Sequence, residues 1–304
     1  MSRQKTIARP VHCSGIGLHT GSPTQVTLRP APPNTGICFH RVDLEGAPAI
    51  LARPEHILDV HYATTLGWDG VEVRTVEHLM AALAGLGIDN ATVEVSGPEV
   101  PAMDGSAAPF VALLQQAGIK KQLLPKSFLR ITKPIFVDMG PRRIEVLPAE
   151  RFQVEYSVSF DHPSLRDQTV SMEISKASFI KEIAACRTYG FLRDLDTLRR
   201  RGLARGGSLE NAVVIGDEGF LNPLRCEDEL VRHKILDLIG DLYLLGRPVV
   251  GKVIARGAGH FLHAALVREI QRHLHSEGVA QHVAEEALPL PFAVSPDALG
   301  SPAL

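Results

Sequence analysis

Apolar residues recur at helical spacing in two long segments of the chain. The first segment runs from about Val76 to Leu86, with its apolar positions at Val76, Leu79, Met80, Leu83 and Leu86. Thr75 stands at its N-cap position and Gly87 directly follows it, as is typical of helix ends. The second segment runs from about Glu227 to Leu245. We predict helices over both, and shorter helices for SAAPFVALLQQAG, SFIKEIAACRTYGFL and HFLHAALVREIQRHL.

Short runs of β-branched and aromatic residues predict strands in both parts of the chain. QVTLRP, GICFHRV and ATVEVSG come first, and FLRITKPIFV, RRIEVLP, FQVEYSVSF and VVGKVIARG follow. The polar segment KKQLLPKSF, broken by Pro125, separates the two groups, and no internal sequence repeat is visible. We therefore predict an α+β fold with domains at 1–124 and 125–275. The remaining 276–304, rich in Ala and Pro, is expected to be a flexible tail.

The second long helix combines an apolar surface with a line of polar residues. Its apolar side chains leave few sides free, which indicates a buried helix, yet His233, Asp237 and Asp241 share one face. Buried carboxylates are costly unless a cation or strong donors meet them. The H-x-x-x-D spacing brings an imidazole and a carboxylate within reach of one metal ion. The alternative is a solvated polar stripe on a half-exposed helix.

The first long helix offers the further ligand that a metal site needs. Glu77 and His78 lie in its first turn, and the small residues Ala81, Ala82 and Gly85 permit another element to approach closely. Two histidines and one aspartate with an open fourth position are typical of catalytic zinc. A neighbouring Glu can take a proton from water during hydrolysis. The alternative for His78 is a satisfied core or surface histidine.

A further histidine, His260, follows two glycines in the sequence RGAGHFLH. It stands where a strand end turns into a helix start, a common place for functional side chains. It can act as a general acid with Asp241 orienting it and raising its pKa, or it can merely cap the helix. GIGLHTG leads into a strand rather than a helix, so it does not favour dinucleotide binding. The triple Arg199, Arg200 and Arg201 favours a solvated helix face over a phosphate site.

Composition and charge narrow the class of protein. Hydrophobic residues make up 45% of the 304 residues and charged residues 22%, as in soluble globular proteins. The net charge of -2 gives no electrostatic reason to bind nucleic acid. Four scattered cysteines favour a reduced compartment, and neither a signal peptide nor a membrane-spanning apolar run is visible. We expect a cytoplasmic enzyme without stable membrane insertion, and a monomer because no exposed heptad or cysteine staple is present.

The motifs together resemble a known family. SGIGLHTG, TVEHLMAAL, PAMDGSAAPFV, CRTYGFLRDLDTLRRRGLARGGSLENAVV, RHKILDLIGDLYLLG and GAGH occur in the order found in the zinc-dependent UDP-3-O-acyl-N-acetylglucosamine deacetylases of Gram-negative bacteria. The resemblance covers about residues 3–272. These enzymes remove the N-acetyl group from UDP-3-O-(3-hydroxyacyl)-N-acetylglucosamine and release acetate, the committed step of lipid A biosynthesis.

The resemblance implies a fold and a set of reacting groups. It implies two similar domains, each a β-sheet layered with two helices, with the active site at the domain interface. One zinc ion per chain would be held by His78, His233 and Asp237. Glu77 would be the general base, and His260 would protonate the leaving amine.

Further roles follow from the same resemblance. Asp241 would orient His260, and Thr188 would help to hold the tetrahedral oxyanion. Lys234 would lie near the diphosphate of the substrate. The segment from about 187 to 214 would form a hydrophobic passage for the acyl chain. The residues expected to line this passage are Tyr189, Phe191 and Leu195.

Two departures from the family pattern bear on substrate binding. Tyr189 stands where better-known members carry Phe, which makes the edge of the passage more polar. Gly257, beside Arg256, stands where some members carry a basic residue, which leaves diphosphate contacts in that loop open. The alternatives are a non-catalytic protein that binds a UDP-sugar or an acyl chain, and a metal-dependent hydrolase of another amide. Fe2+ accepts ligands similar to those of Zn2+, so the residues also leave the metal open.

Overall fold

The computed structural model of the chain describes residues 2–162, 165 and 167–276. From residue 277 onward, the predicted tail lies outside the described residues. The strands of the first half are β1 (Arg3–Ile7), β2 (Val11–Ile16), β3 (Pro23–Pro30), β4 (Ile37–Arg41), β5 (Ile50–Leu51), β6 (Ile57–Asp59), β7 (Thr65–Trp68), β8 (Val71–Val73), β9 (Ala91–Val95) and β10 (Ile119–Pro125).

The second half has a similar mixture of strands and helices, which confirms the predicted α+β class. Its strands are β11 (Leu129–Arg130), β12 (Ile135–Met139), β13 (Arg142–Leu147), β14 (Gln153–Val158), β15 (Gln168–Glu173), β16 (Tyr189–Phe191), β17 (Val213–Gly216), β18 (Gly219–Phe220), β19 (Val249–Val250) and β20 (Lys252–Arg256). The helices of the chain are α1 (Glu77–Leu86), α2 (Ala108–Ala117), α3 (Lys176–Ser178), α4 (Leu195–Arg200), α5 (Glu229–Leu242) and α6 (His260–Ser276).

The two halves contain five-stranded sheets with the same strand order. The first sheet runs β2-β3-β9-β4-β5, and the second runs β12-β13-β20-β14-β15. In each sheet the last strand along the chain lies in the centre and pairs parallel with the third strand. The other neighbours are antiparallel. The halves therefore repeat one backbone unit, as the resemblance implies, although no sequence repeat is visible.

The long helices occupy matching places in the two units. Helices α1 and α2 come before and after β9, and helices α5 and α6 come before and after β20. Helix α5 packs on β14 and β15, α6 packs on β12 and β13, and α2 packs on β2. The halves meet where α1 packs against α5. The boundary between 124 and 125 stays a prediction, because strand β10 ends at Pro125 and pairs with β1.

Two local predictions are wrong. Thr75 does not cap α1, since its backbone φ is 56° and its hydroxyl donates to Glu99 Oε1, so Val76 takes the N-cap position. The segment SFIKEIAACRTYGFL is not helical throughout. Its first residue, Ser178, ends α3, a π-helical turn follows at Phe179–Ile183, and then strand β16 pairs with β17. In both places, contacts with distant segments override the local pattern.

The buried apolar side chains of both halves form one connected core. No helix within the described ranges is both long enough and apolar enough to cross a membrane. All four cysteines are free thiols. The exposed side chains of Arg199, Arg200 and Arg201 lie at the end of α4, as expected for a solvated helix face.

Candidate metal centre

Helices α1 and α5 cross with their backbones in close contact. At Gly240, an added Cβ would lie 2.1 Å from the carbonyl oxygen of Glu77 in the first turn of α1. Only a residue without a side chain permits this approach. Gly240 lies between Asp237 and Asp241, so the crossing presses the first turn of α1 against the polar line of α5.

His78, His233 and Asp237 converge at this crossing. One ligand atom from each of the three lies within 4.8 Å of the other two. Nε2 of His233 is 3.2 Å from Asp237 Oδ1, and Nε2 of His78 is 3.6 Å from the same oxygen. The three residues are only 4%, 1% and 1% exposed. The alternative of a solvated stripe is therefore wrong, because the polar line is buried.

The positions of the protons leave two hydrogen-bond acceptors, His233 Nε2 and Asp237 Oδ1, facing each other. His233 Nδ1 lies 3.0 Å from the carbonyl oxygen of Cys186, which can only accept, so Nδ1 carries the proton. Burial lowers the pKa of His233 to about 3, so the ring is neutral and Nε2 presents a lone pair. Asp237 Oδ1 is buried and has no hydrogen-bond partner among the described residues. Two acceptors that face each other in a buried place fit a cation between them.

Glu77 and His260 face each other beside these three side chains. Glu77 Oε1 lies 4.0 Å from His260 Nε2, and its Oε2 accepts a hydrogen bond from the backbone N–H of Thr64 at 3.0 Å. Burial raises the pKa of Glu77 to about 7, although His260 and His78 act in the opposite direction. A carboxylate with this pKa can accept a proton near neutral pH.

Asp241 holds the other side of the His260 ring. Its Oδ2 lies 2.8 Å from His260 Nδ1, so Nδ1 donates and Nε2 points toward Glu77. Burial alone would lower the pKa of His260, but the carboxylates of Asp241 and Asp237 outweigh it and raise the pKa to about 9. His260 is therefore protonated near neutral pH. An acid and a base with separated pKa values lie together in one buried place.

The amino-acid sequence matches the family described as UDP-3-O-acyl N-acetylglycosamine deacetylase over residues 4–272. Two proteins named UDP-3-O-acyl-N-acetylglucosamine deacetylase, from Acidithiobacillus ferrooxidans and from Myxococcus xanthus, are each 51% identical to this chain. The first alignment covers 89% of this chain and 90% of the relative, and the second covers 88% of this chain and 86% of the relative. The protein of that name from Pseudomonas entomophila is 48% identical, with coverage of 89% and 90%. The chain belongs to this deacetylase family.

Other residues that the deacetylase resemblance singled out lie in the second half of the chain. Lys234 Nζ pairs with Asp237 Oδ2 at 3.2 Å and lies 5.3 Å from the centre of the Tyr189 ring. The ring of Tyr189 also contacts His233, with centroids 6.4 Å apart. Thr188 directly precedes β16 and is buried.

The predicted lining of the acyl passage is divided between buried and half-buried positions. Tyr189 and Phe191 are buried and both contact the ring of Phe160, at centroid distances of 6.0 and 6.5 Å. Leu195 is half-buried at the first residue of α4. At Gly257 the backbone φ is 56°, which L side chains rarely adopt, so this loop conformation favours glycine over a basic residue. The diphosphate and acyl-chain contacts stay predictions.

Sequence reasoning missed three residues near the centre. Thr64 donates its hydroxyl to Asp241 Oδ1 at 2.6 Å, and no pattern in the sequence around it indicates this contact. His19 is buried, and its Nε2 has no partner within the described residues. Burial lowers the pKa of His19, and the charge of His260 acts in the same direction. His263 contacts Asp241, and its position three residues after His260 was a usable signal.

Proposed function

We propose that the chain hydrolyses the 2-acetamido group of a UDP-3-O-(3-hydroxyacyl)-N-acetylglucosamine and releases acetate, as a zinc-dependent enzyme of lipid A biosynthesis. The observation that carries this proposal is the buried Asp237 Oδ1, which faces the Nε2 atoms of two histidines and has no donor among the described residues. Membership of the deacetylase family supports the choice of substrate. The proposal assigns His78, His233 and Asp237 as the ligands of one metal ion.

The attacking water loses its proton to Glu77. When bound, zinc supplies Lewis acidity that polarises the amide carbonyl and makes water more acidic. Glu77 accepts the proton at Oε1, the oxygen that faces His260, because Oε2 is occupied by the Thr64 N–H. The water oxygen then adds to the acetyl carbon. We assign the hydroxyl of Thr188 to hydrogen-bond the developing oxyanion, an interaction that typically contributes a large share of catalysis.

The leaving amine takes its proton from His260. An amine anion leaves poorly, so the carbon–nitrogen bond breaks as Nε2 donates a proton to the nitrogen. Asp241 holds Nδ1 of the same ring at 2.8 Å and stabilises its positive charge. The products are acetate and the free 2-amino sugar. Activity should rise with pH as Glu77 loses its proton and fall as His260 loses its own, which gives a bell-shaped profile.

Substrate contacts complete the proposal. We assign Lys234 to the diphosphate of the nucleotide, and Tyr189, Phe191 and Leu195 to the acyl passage. Zinc is the proposed metal, and Fe2+ suits the same donor set of imidazole and carboxylate. The four free cysteines suit a reducing cytoplasm, where the proposal places the enzyme as a monomer.

Two measurements on the same protein test the proposal: its metal content and its release of acetate. We expect one metal ion per chain by elemental analysis, and acetate release from the UDP-3-O-acyl substrate that a chelator abolishes and zinc restores. Replacing Glu77 by Gln should lower kcat by about 10²- to 10⁴-fold, because the general base is lost, while the metal stays bound. The matched control is Glu72→Gln, a partly exposed residue that pairs with Arg74.

Each alternative function has its own outcome in this experiment. Bound metal without acetate release would favour a hydrolase of another amide. Inhibition by UDP would distinguish the two enzymes, since UDP should compete with the substrate only at a site that binds a nucleotide sugar. Substrate binding without turnover would favour a non-catalytic binding protein. Near wild-type turnover of both Glu77→Gln and His260→Ala would refute the assigned mechanism.

A further inference from the structure

A second imidazole contacts the carboxylate that holds His260. His263 lies one helical turn after His260 on α6, and its Nδ1 is 2.8 Å from Asp241 Oδ2. His260 Nδ1 reaches the same oxygen at the same distance. Burial would raise the pKa of Asp241, but the charge of His260 and the hydrogen bonds from both histidines outweigh it and lower the pKa to about 2. The carboxylate has no proton to give, so both Nδ1 atoms donate.

Tyr156 occupies the other nitrogen of His263. Its hydroxyl oxygen, on strand β14, lies 2.9 Å from His263 Nε2, and the two rings meet edge to face with centroids 5.9 Å apart. Burial lowers the pKa of His263, so the ring is neutral. With the single proton on Nδ1, Nε2 is an acceptor and the Tyr156 hydroxyl donates to it. The ring is therefore held at both ends in one tautomer.

Three donors from two parts of the chain fix the plane of the Asp241 carboxylate. Thr64, from the first half, donates to Oδ1 at 2.6 Å, while His260 and His263 donate to Oδ2. Without His263, Oδ2 would keep only the His260 donor, and the carboxylate would be held less firmly against rotation about its Cβ–Cγ bond. With the Oδ2 position held by His263, the ring of His260 keeps its Nε2 directed at Glu77.

Asp241, His260 and His263 also lie close enough together to hold a metal ion. The hydrogen bonds argue against this use. To bind here, a cation would have to displace the protons on Nδ1 of both rings, which already donate to Asp241. The remaining nitrogen of His263 is already bonded to the Tyr156 hydroxyl. The cluster is satisfied as it stands, unlike Asp237 Oδ1 in the candidate metal centre.

We propose that His263, held in its tautomer by Tyr156, is a positioning residue for the deacetylation. It keeps Asp241 Oδ2 in place so that His260 presents Nε2 to the leaving amine. This inference rests on the proposed function, and it has His263 act through its contacts with Asp241 and Tyr156.

Two variants of similar size separate the two contacts of His263. In His263→Asn, the side-chain N–H can take the place of Nδ1–H and still donate to Asp241. In His263→Gln, the longer amide reaches toward Tyr156 and loses the contact with Asp241. We expect kcat for acetate release to fall about tenfold to a hundredfold in His263→Gln, as for other small misplacements of a reacting group. His263→Asn should stay within about threefold of wild type, and KM should change little in either variant.

Equal kcat values for the two variants, or a loss confined to KM, would overturn the positioning role. A wild-type protein that releases no acetate would instead refute the proposed function. If His263→Gln does not fold, Tyr156→Phe removes only the hydroxyl and should lower kcat severalfold with KM unchanged. Nitrogen NMR of ¹⁵N-histidine-labelled full-length protein gives a readout without substrate. His263 should have a protonated Nδ1 and a bare Nε2, and a spectrum with the proton on Nε2 would contradict the inference.

Discussion

Glu229 shows how single buried charges are stabilised in this protein. It is the first residue of α5, and its carboxylate accepts hydrogen bonds from the Arg187 guanidinium at 2.8 and 3.1 Å and from the backbone N–H of Arg225. Burial would raise the pKa of Glu229, but these donors outweigh it and hold the pKa below its ordinary value of 4.5. Arg187 directly precedes Thr188, so this ion pair anchors the start of the segment assigned to oxyanion binding.

The lowered pKa predicts how stability depends on pH. The stabilisation by Glu229 is complete above the unfolded-state pKa near 4.5 and is lost as the pH falls through the lower pKa of the folded state. Glu229→Gln should therefore lower the free energy of unfolding by about 3 kcal/mol at neutral pH, since it leaves the buried Arg187 without its counter-ion. The difference from wild type should shrink between about pH 5 and pH 3.

Urea unfolding at a series of pH values measures this difference. The control is Glu94→Gln, which removes a more exposed pair with Arg29 and should change the free energy of unfolding much less. A Glu229→Gln effect that does not change with pH would show that the ion pair is not its cause.

The residues of the candidate centre were predictable from the sequence to different degrees. The line of His233, Asp237 and Asp241 follows from helical periodicity alone, because all three lie on one element. His78 joins them only through the crossing of two helices, so the sequence offered it as a candidate ligand beside the alternative of a satisfied histidine, and the family resemblance then assigned it. Thr64 comes from a loop in the other half of the chain, and no local pattern records such a contact.

At the scale of elements, the crossing of α1 and α5 depends on one glycine. Helix propensity by itself favours Ala over Gly by about 1 kcal/mol in a helix interior. At Gly240, however, a Cβ would lie 2.1 Å from Glu77 O, so the two helices would have to separate. Their separation would move His78 away from the ligands on α5.

Replacing Gly240 by Ala should therefore destabilise the protein in spite of the better helix propensity. We expect a loss of about 1–3 kcal/mol in the free energy of unfolding, as for other overpacked sites, together with reduced metal content. Chemical denaturation and elemental analysis measure the two effects. Gly207→Ala is the control, because its nearest neighbour would lie 3.4 Å away, in ordinary contact. Unchanged stability and metal content in Gly240→Ala would show that the helices tolerate separation.

Whole elements were predicted best where a long periodic pattern was available. The long helix was predicted over Glu227 to Leu245, and the structure has α5 at Glu229–Leu242 followed by a 3₁₀ turn at Tyr243–Leu245. The segment that ends in β16 was predicted helical, since its strand character depends on pairing with β17, more than twenty residues later. Pairing between distant strands has no local signal, so the shared strand order of the two sheets was also invisible in the pattern.

At the scale of the whole molecule, the candidate metal ligands join the two halves of the chain. His78 comes from α1 in the first half, and His233 and Asp237 come from α5 in the second. An ion bound by all three would bind the folded chain and not the unfolded one. It would therefore stabilise the contact between the halves as well as the reaction site.

Metal removal should accordingly lower thermal stability. A zinc concentration of about a hundred times the dissociation constant contributes about 2.7 kcal/mol to folding, so the zinc-loaded protein should unfold at a higher temperature than chelator-treated protein. His78→Ala should abolish this metal-dependent shift, whereas His12→Ala, at an exposed position on β2, should keep it. Calorimetry measures the shift. A full shift in His78→Ala would mean that the ion does not bridge the halves.

The repeated strand order has a consequence for the origin of the centre. Helices α1 and α5 hold equivalent places in the two units and pack against each other, as the two copies do in a symmetric dimer. In a dimer of two identical copies, a site at the symmetry axis would receive every side chain twice, once from each copy. Here α1 contributes one imidazole and one carboxylate, while α5 contributes one imidazole and two carboxylates. One asymmetric centre thus requires equivalent backbones with different side chains, and the two units accordingly share their strand order without a visible repeat in the amino-acid sequence.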